Sequence, residues 1–236
     1  MKYLFGGVLL SLLLSTAIFS VFQANKINEL KQEIKNTQKN IEKSNTEIFK
    51  IKENVSIIDA SIEPDNKRWA KIKQVRKIIT DIMKEKGRNN LTVIEITSIA
   101  SHVVDYSREY DIDVSLILAM ITVESAFEIK AISSADARGL MQILPDTASE
   151  IAGDLNKKYY NLFKSKDNIQ FGTWYIWKML NYFKGDLELA ISAYNCGFVC
   201  VERVRSGQYD AYPKQTIDYK KSILEWRHRF QNLGVD

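Results

Sequence analysis

Proline is scarce in this sequence, with three residues in 236, and glycine numbers ten. So few breaks argue against many short strands and tight turns, and favour long helices. Histidine and cysteine are scarcer still, at two each. His102 and His228 lie away from Cys196 and Cys200 in sequence, so no spacing typical of a zinc site arises and no metal is expected. The Cys196–Cys200 pair is either a local disulfide or two buried thiols, because a disulfide also needs a suitable Cα separation. No arginine-rich tract or zinc-finger pattern occurs, so nucleic acid is not an expected partner. Net charge is +4. Residues 23–90 hold 16 Lys and Arg against 10 Asp and Glu, while residues 91–236 hold 16 against 19. The basic excess thus belongs to the N-terminal third. It is either a solvated helix face or a stripe turned towards anionic lipid or an anionic wall polymer.

After Met1 and Lys2, residues Tyr3 to Phe22 are uncharged. As one helix they would reach across about 30 Å, the thickness of a bilayer core. Residues 1–24 are therefore expected to be a membrane anchor or a signal segment. Ser15-Thr16-Ala17 would be the cleavage site, but it lies inside the apolar run, which favours an uncleaved anchor. A heptad pattern follows. Ile27, Leu30, Ile34, Thr37, Ile41, Ser44, Ile48, Ile51, Val55, Ile58 and Ile62 recur at alternating spacings of three and four. Such a seam predicts a coiled-coil stalk over 25–63, and hence self-association. The alternative is one amphipathic helix folded back on the rest of the chain. Thr37 and Ser44 loosen the seam, and Pro64 interrupts the pattern.

A second apolar face follows in Trp69, Ile72, Val75, Ile79 and Ile82, and predicts a connecting helix within 64–90. Gly87 and Arg88-Asn89-Asn90 mark its end. Thr92 with Glu95 matches a capping box that opens the next helix, which places the main domain at 91–236.

Within that domain Ser115 to Val123 is apolar almost all round, as a buried helix requires. Glu124 follows directly, so its carboxyl group emerges at the end of a core helix. A carboxyl in a partly apolar pocket has a raised pKa and stays protonated near neutral pH, as a general acid must. Three further stretches follow: Gly139-Leu140-Met141-Gln142 with Pro145 and Thr147-Ala148; Ala193-Tyr194-Asn195-Cys196-Gly197; and Thr216 with Tyr219. Together with Glu124-Ser125 and the Asn168–Ile176 stretch, this order and spacing resembles the lytic transglycosylases of the soluble-lytic-transglycosylase type, relatives of goose-type lysozyme. The resemblance covers about 93–223. Asp136, where the family usually has Gly, departs from the pattern, as do Cys196 for Ala, Phe198 for Pro and Gln215 for an acidic residue.

The resemblance implies a lysozyme-like, mainly α-helical catalytic domain with a substrate groove; with the transmembrane or signal helix and the coiled-coil stalk read before it, the expected fold is all-α. It implies Glu124 as the catalytic residue, with Ser125, Met141, Gln142, Tyr194, Asn195 and Tyr219 around the sugar. Read from the residues alone, several positions keep a second explanation. Gln142 is either a polar tip at a cleft or an amide paired with backbone, Tyr194 is core packing with a polar handle, and Asn195 is a possible helix cap. Trp174, Trp177, Tyr159 and Tyr160 stack either on sugars or in the core.

A typical glycosidase uses two carboxylates, and these motifs supply one. The resemblance accordingly implies peptidoglycan glycan strands as substrate. Glu124 would act as acid on the bond between N-acetylmuramic acid and N-acetylglucosamine. It would then act as base while the C6 hydroxyl closes a 1,6-anhydro ring, without cofactor. A lysozyme-type hydrolase and a non-catalytic glycan-binding scaffold are the rival readings. The expected location is the inner membrane with the catalytic domain in the periplasm or wall space, or secretion if the leader is cleaved.

Overall fold

The computed structural model describes residues 23–52 and 65–236 with their side chains, and the helical course alone over 2–22 and 53–64. The expected anchor therefore lies outside the residues whose side chains are described. Among the described residues no helix is long and apolar enough to cross a membrane.

Among the described residues there are eight helices: α1 (Lys2–Glu85), α2 (Val93–Tyr110), α3 (Val114–Glu124), α4 (Pro145–Asp154), α5 (Ser165–Tyr182), α6 (Leu187–Cys196), α7 (Phe198–Arg205) and α8 (Lys214–Asn232). Among the described residues the β-structure consists of isolated antiparallel bridges, Ile132 to Arg138 and Arg138 to Ile143. The all-helical expectation therefore holds. Two compact units divide at Pro64. In the first, the described seam residues stand open, with Ile34 58% and Ile41 54% exposed.

The second unit, Asp65–Asp236, begins earlier than Leu91. The segment expected to act as a connector is instead part of the core. Ile72, Val75, Ile79 and Ile82 are buried there, whereas Trp69, expected on the same face, is exposed beneath the Arg68 guanidinium. Polar ties reinforce the packing. Arg68 donates two hydrogen bonds of 2.7 Å to Asp105 on α2, and Arg229 on α8 pairs with Glu85. The capping box is present, with the Thr92 and Glu95 side chains bonding each other's backbone N–H.

Buried helix α3 lies at the centre, packed against α8 and α2; α5 packs against α2, α6 and α4. The N-cap residue of α3, Asp113, makes no side-chain cap bond and pairs with Arg227. Asp236 caps the helix in its place, accepting from the Ser115 N–H at 2.8 Å and the Ser115 hydroxyl at 2.7 Å. Lys71 and Gln74 hold the carbonyls of Leu233, Gly234 and Val235. The helix that ends at Glu124 is thus fixed at its start by residues more than a hundred positions away.

Candidate active site

Every residue from Val114 to Thr122 is buried, so α3 has no solvent face until its last turn. Glu124 is its final residue, with some opening to solvent. Beyond Ser125 the chain reverses through Ala126 (φ 48°) and Phe127 (φ 64°), two consecutive non-glycine residues in the left-handed region. Such backbone costs of order 1–3 kcal/mol per residue and persists where its surroundings hold it. Phe127, 1% exposed, is one anchor of that reversal.

Burial pushes the Glu124 carboxyl up to about pKa 7, against the opposing influence of Tyr219. The Tyr219 hydroxyl, on α8, donates to Glu124 Oε1 at 2.6 Å. Tyr219 and Tyr194 are themselves raised well above the ordinary phenol value by burial, and then by the charge of Glu124. A carboxyl with its pKa raised towards neutrality can give a proton and take one back.

The Gly139–Ile143 loop is held by side chains from three elements. Ser125 donates from Oγ to the Leu140 carbonyl at 2.8 Å. Tyr194 donates to the Met141 carbonyl at 2.9 Å. Asn168, buried on α5, accepts from the Met141 N–H at 2.7 Å and donates to the carbonyls of Arg138 and Leu162. Gly139 has φ 78°, and a Cβ there would collide with the Leu162 carbonyl and the Asn168 amide. At Gly172 a Cβ would run into the Met141 side chain. Both glycines are required by close approach, one of them also by backbone angle.

The expected site residues divide accordingly. Glu124 and Tyr219 are in contact. Tyr194 and Asn195 line a cavity of about 220 Å³ together with Gln142, Ile143, Thr147, Tyr175 and Gly197. Gln142 is both things the sequence left open. It lines the cavity, while its Nε2 donates to the carbonyls of Gly139 and Ala131. Asn195 is no helix cap; it lies within α6, and its Oδ1 accepts from the Thr216 hydroxyl at 2.9 Å. Ser125 and Met141 were expected at the sugar but are 8% and 0% exposed; Ser125 is turned to the Leu140 carbonyl and the Met141 side chain lies against Gly172. Of the aromatic candidates, Trp174 is buried and Trp177 packs against it and Tyr110, whereas Tyr159 is exposed. Asn168 went unassigned in the sequence, although a polar residue beginning the apolar face of α5 was a visible signal.

No second carboxylate among the described residues influences Glu124. Asp136 (φ 62°) occupies a turn where a glycine would be at ease, and it pairs with Arg138 at 2.9 Å. Asp146 is exposed in the first turn of α4, where a negative charge suits the helix dipole. Among the described residues no group of three or more His, Cys, Asp or Glu is gathered to hold a metal ion. A larger cavity of about 470 Å³ between Thr80 and Ile96 is lined by none of the expected site residues, whereas Gln142, Tyr194 and Asn195 all line the smaller one.

Residues 102–217 match the Transglycosylase SLT domain family. A curated relative, membrane-bound lytic murein transglycosylase C of Actinobacillus succinogenes, is 38% identical over 118 residues, 44% of this chain and 32% of that protein. The chain thus spans about a third of the length of that relative. Among solved structures, a complex of the 70-kDa soluble lytic transglycosylase with bulgecin A is 25% identical with a TM-score of 0.51, over 57% of this chain and 24% of that one. An inactive mutant of the lytic transglycosylase Slt from Pseudomonas aeruginosa, 24% identical with a TM-score of 0.52 over 68% of this chain and 30% of that one, shares the fold.

Proposed function

We propose that this chain, whose residues 102–217 belong to the Transglycosylase SLT domain family, is a peptidoglycan lytic transglycosylase with Glu124 as its acid and base. The observation that carries the reading is the lone carboxyl at the end of buried α3, with a pKa raised to about 7 and no partner carboxylate among the described residues. Protonated Glu124 gives its proton to the glycosidic oxygen between N-acetylmuramic acid and N-acetylglucosamine. The muramic N-acetyl group assists at the anomeric carbon. The resulting Glu124 carboxylate then takes the proton of the muramic C6 hydroxyl as the 1,6-anhydro ring closes. Tyr219, by donating to Oε1, stabilises that carboxylate between the two transfers. Asn195 and Gln142 hold the sugar along the cavity. The lysozyme-type alternative would need a water-activating or nucleophilic carboxylate near Glu124. Asp136 and Asp146, the motif-adjacent candidates, have structural explanations. Digestion of purified sacculi, with the released muropeptides weighed by mass spectrometry, tests the reading. Anhydromuramyl products from the wild type, and none from Glu124→Gln, are expected; products from both proteins would refute it.

The apolar run Tyr3–Phe22 supports membrane anchorage, with the second unit in the periplasm or wall space. The open Ile-rich seam of α1 supports self-association through the stalk. A peptide of residues 25–62 should sediment as a dimer or trimer and become monomeric when Ile34, Ile41 and Ile48 are replaced by Asn. A wild-type peptide that stays monomeric at high concentration counts against the stalk.

A further inference from the structure

Cys196 and Cys200 are joined in a disulfide, settling the choice that their spacing left open. Cys196 is the last residue of α6 and Cys200 lies in the first turn of α7. Between the two helices stands Gly197, with φ 84° and ψ 153°, a region open in practice to glycine alone. A Cβ at Gly197 would meet nothing within 4 Å, so backbone angle, not space, accounts for the glycine. The α6–α7 junction is therefore a permissive hinge spanned by a covalent bond.

The remaining anchorage of α7 comes from Val201, from Phe198 and from the Arg205 guanidinium over the Phe183 ring. Val201 is fully buried, while Val199, Arg203 and Arg205 are exposed. Phe198 adds edge-on contact with the Tyr182 ring at 4.6 Å. The hinge forms part of the cavity wall: Asn195, Cys196 and Gly197 all line it. The Thr216 hydroxyl holds Asn195 from α8, but Gly197 has no side chain by which it could be held. A disulfide closing so short a loop gains less from chain entropy than one closing a long loop. Its main consequence is local, on the shape of the wall.

We propose that the Cys196–Cys200 disulfide is a positioning element of the glycan cleft, locking the Gly197 hinge so that Asn195 and Gly197 keep their places against the sugar. The inference rests on the reading of this cavity as a glycan site. Glu124 and Tyr219 are contributed by α3 and α8, so the bond acts on substrate binding and leaves the proton transfers alone.

The full chain, purified under oxidising conditions, should show no free thiol when unfolded without reductant; two free thiols would overturn the proposal. Turnover of amidase-trimmed glycan strands by Cys196→Ala/Cys200→Ala should show KM raised about tenfold, equivalent to about 1.4 kcal/mol, with kcat within about twofold. A bond that merely stabilised the fold would lower Tm and leave KM unchanged, and that result would overturn the proposal. Wild type reduced with a dithiol and alkylated should reproduce the raised KM if the double variant folds poorly. Binding of the same strands to Glu124→Gln, before and after reduction, gives a readout without turnover. A chain that binds strands tightly only when oxidised, yet never cleaves them, defeats the enzymatic reading and supports the brace. Equal affinity in both redox states defeats the brace.

Discussion

Helix α1 carries two apolar stripes with different fates. In its first stretch Ile34 and Ile41 are more than half exposed; in its last, Val75 and Ile79 are 0% exposed. Residue type and spacing are nearly the same. The difference is that the later stripe is buried in the core of the second unit, with Arg68 tied to Asp105 on α2 and Glu85 to Arg229 on α8. Helical periodicity therefore states that a face needs covering, but not whether the cover comes from the same chain or another copy.

The largest effect is expected in the second unit. Glu124→Gln should lower the lytic rate on sacculi by roughly 10³-fold or more, since the amide cannot donate as a carboxylic acid does. The same change should stabilise the protein in alkaline solution. The folded carboxyl titrates near pH 7, above its unfolded value, so ionisation costs stability increasingly as pH rises through about 7. Thermal melts should show Glu124→Gln gaining about 1–3 kcal/mol at pH 8 and nothing at pH 4. A loss at pH 8 would contradict the buried-acid assignment.

Ile79→Ala should cost the second unit about 2–5 kcal/mol in urea unfolding, as an empty space opens in a packed core. Ile34→Ala should leave that transition unmoved, because its side chain has no core to leave. Equal costs from the two substitutions would erase the contrast between the stripes. Arg68→Ala is next, at about 1–3 kcal/mol, because it leaves the half-buried Asp105 without its guanidinium. Arg68 holds the Asp105 carboxyl below the usual carboxylate range, chiefly through their hydrogen bonds. The stabilisation is thus present at neutral pH and lost as acid protonates Asp105, so wild type and Arg68→Ala should converge at low pH.

The smallest expected change is a shift of profile. Tyr219→Phe removes a donor that favours the Glu124 carboxylate, so the Glu124 pKa rises further. The basic limb of kcat/KM against pH should move upward, because that limb reports loss of the essential acid in the free enzyme. A downward move would assign the limb to another group.

Much of the site was legible in the sequence because its elements are local. Ser115–Val123 is continuously apolar, so Glu124 at its end stood out, and Thr92 with Glu95 marked the start of α2. What the sequence left hidden depends on distant partners. Nothing near Ser115 indicates that Asp236 caps α3. Asn168 ties the Gly139–Ile143 loop from 27 residues beyond Met141. Ser125 and Met141 read as sugar contacts because they adjoin Glu124 and Gln142 in sequence. Adjacency along the chain does not tell which side of a loop faces the cleft, and both face inward. The second unit's early start at Asp65 was missed for the same reason: an amphipathic stripe does not name its partner.

The central claim is that one carboxyl performs both proton transfers without consuming water. Digesting purified sacculi with the full chain in water enriched in heavy oxygen tests it directly. The account predicts muramic acid ends that carry no heavy oxygen and weigh one water less than hydrolysed ends. Reducing muramic acid ends labelled with heavy oxygen, as the main product, would contradict it and direct attention to Asp136 as a second carboxylate.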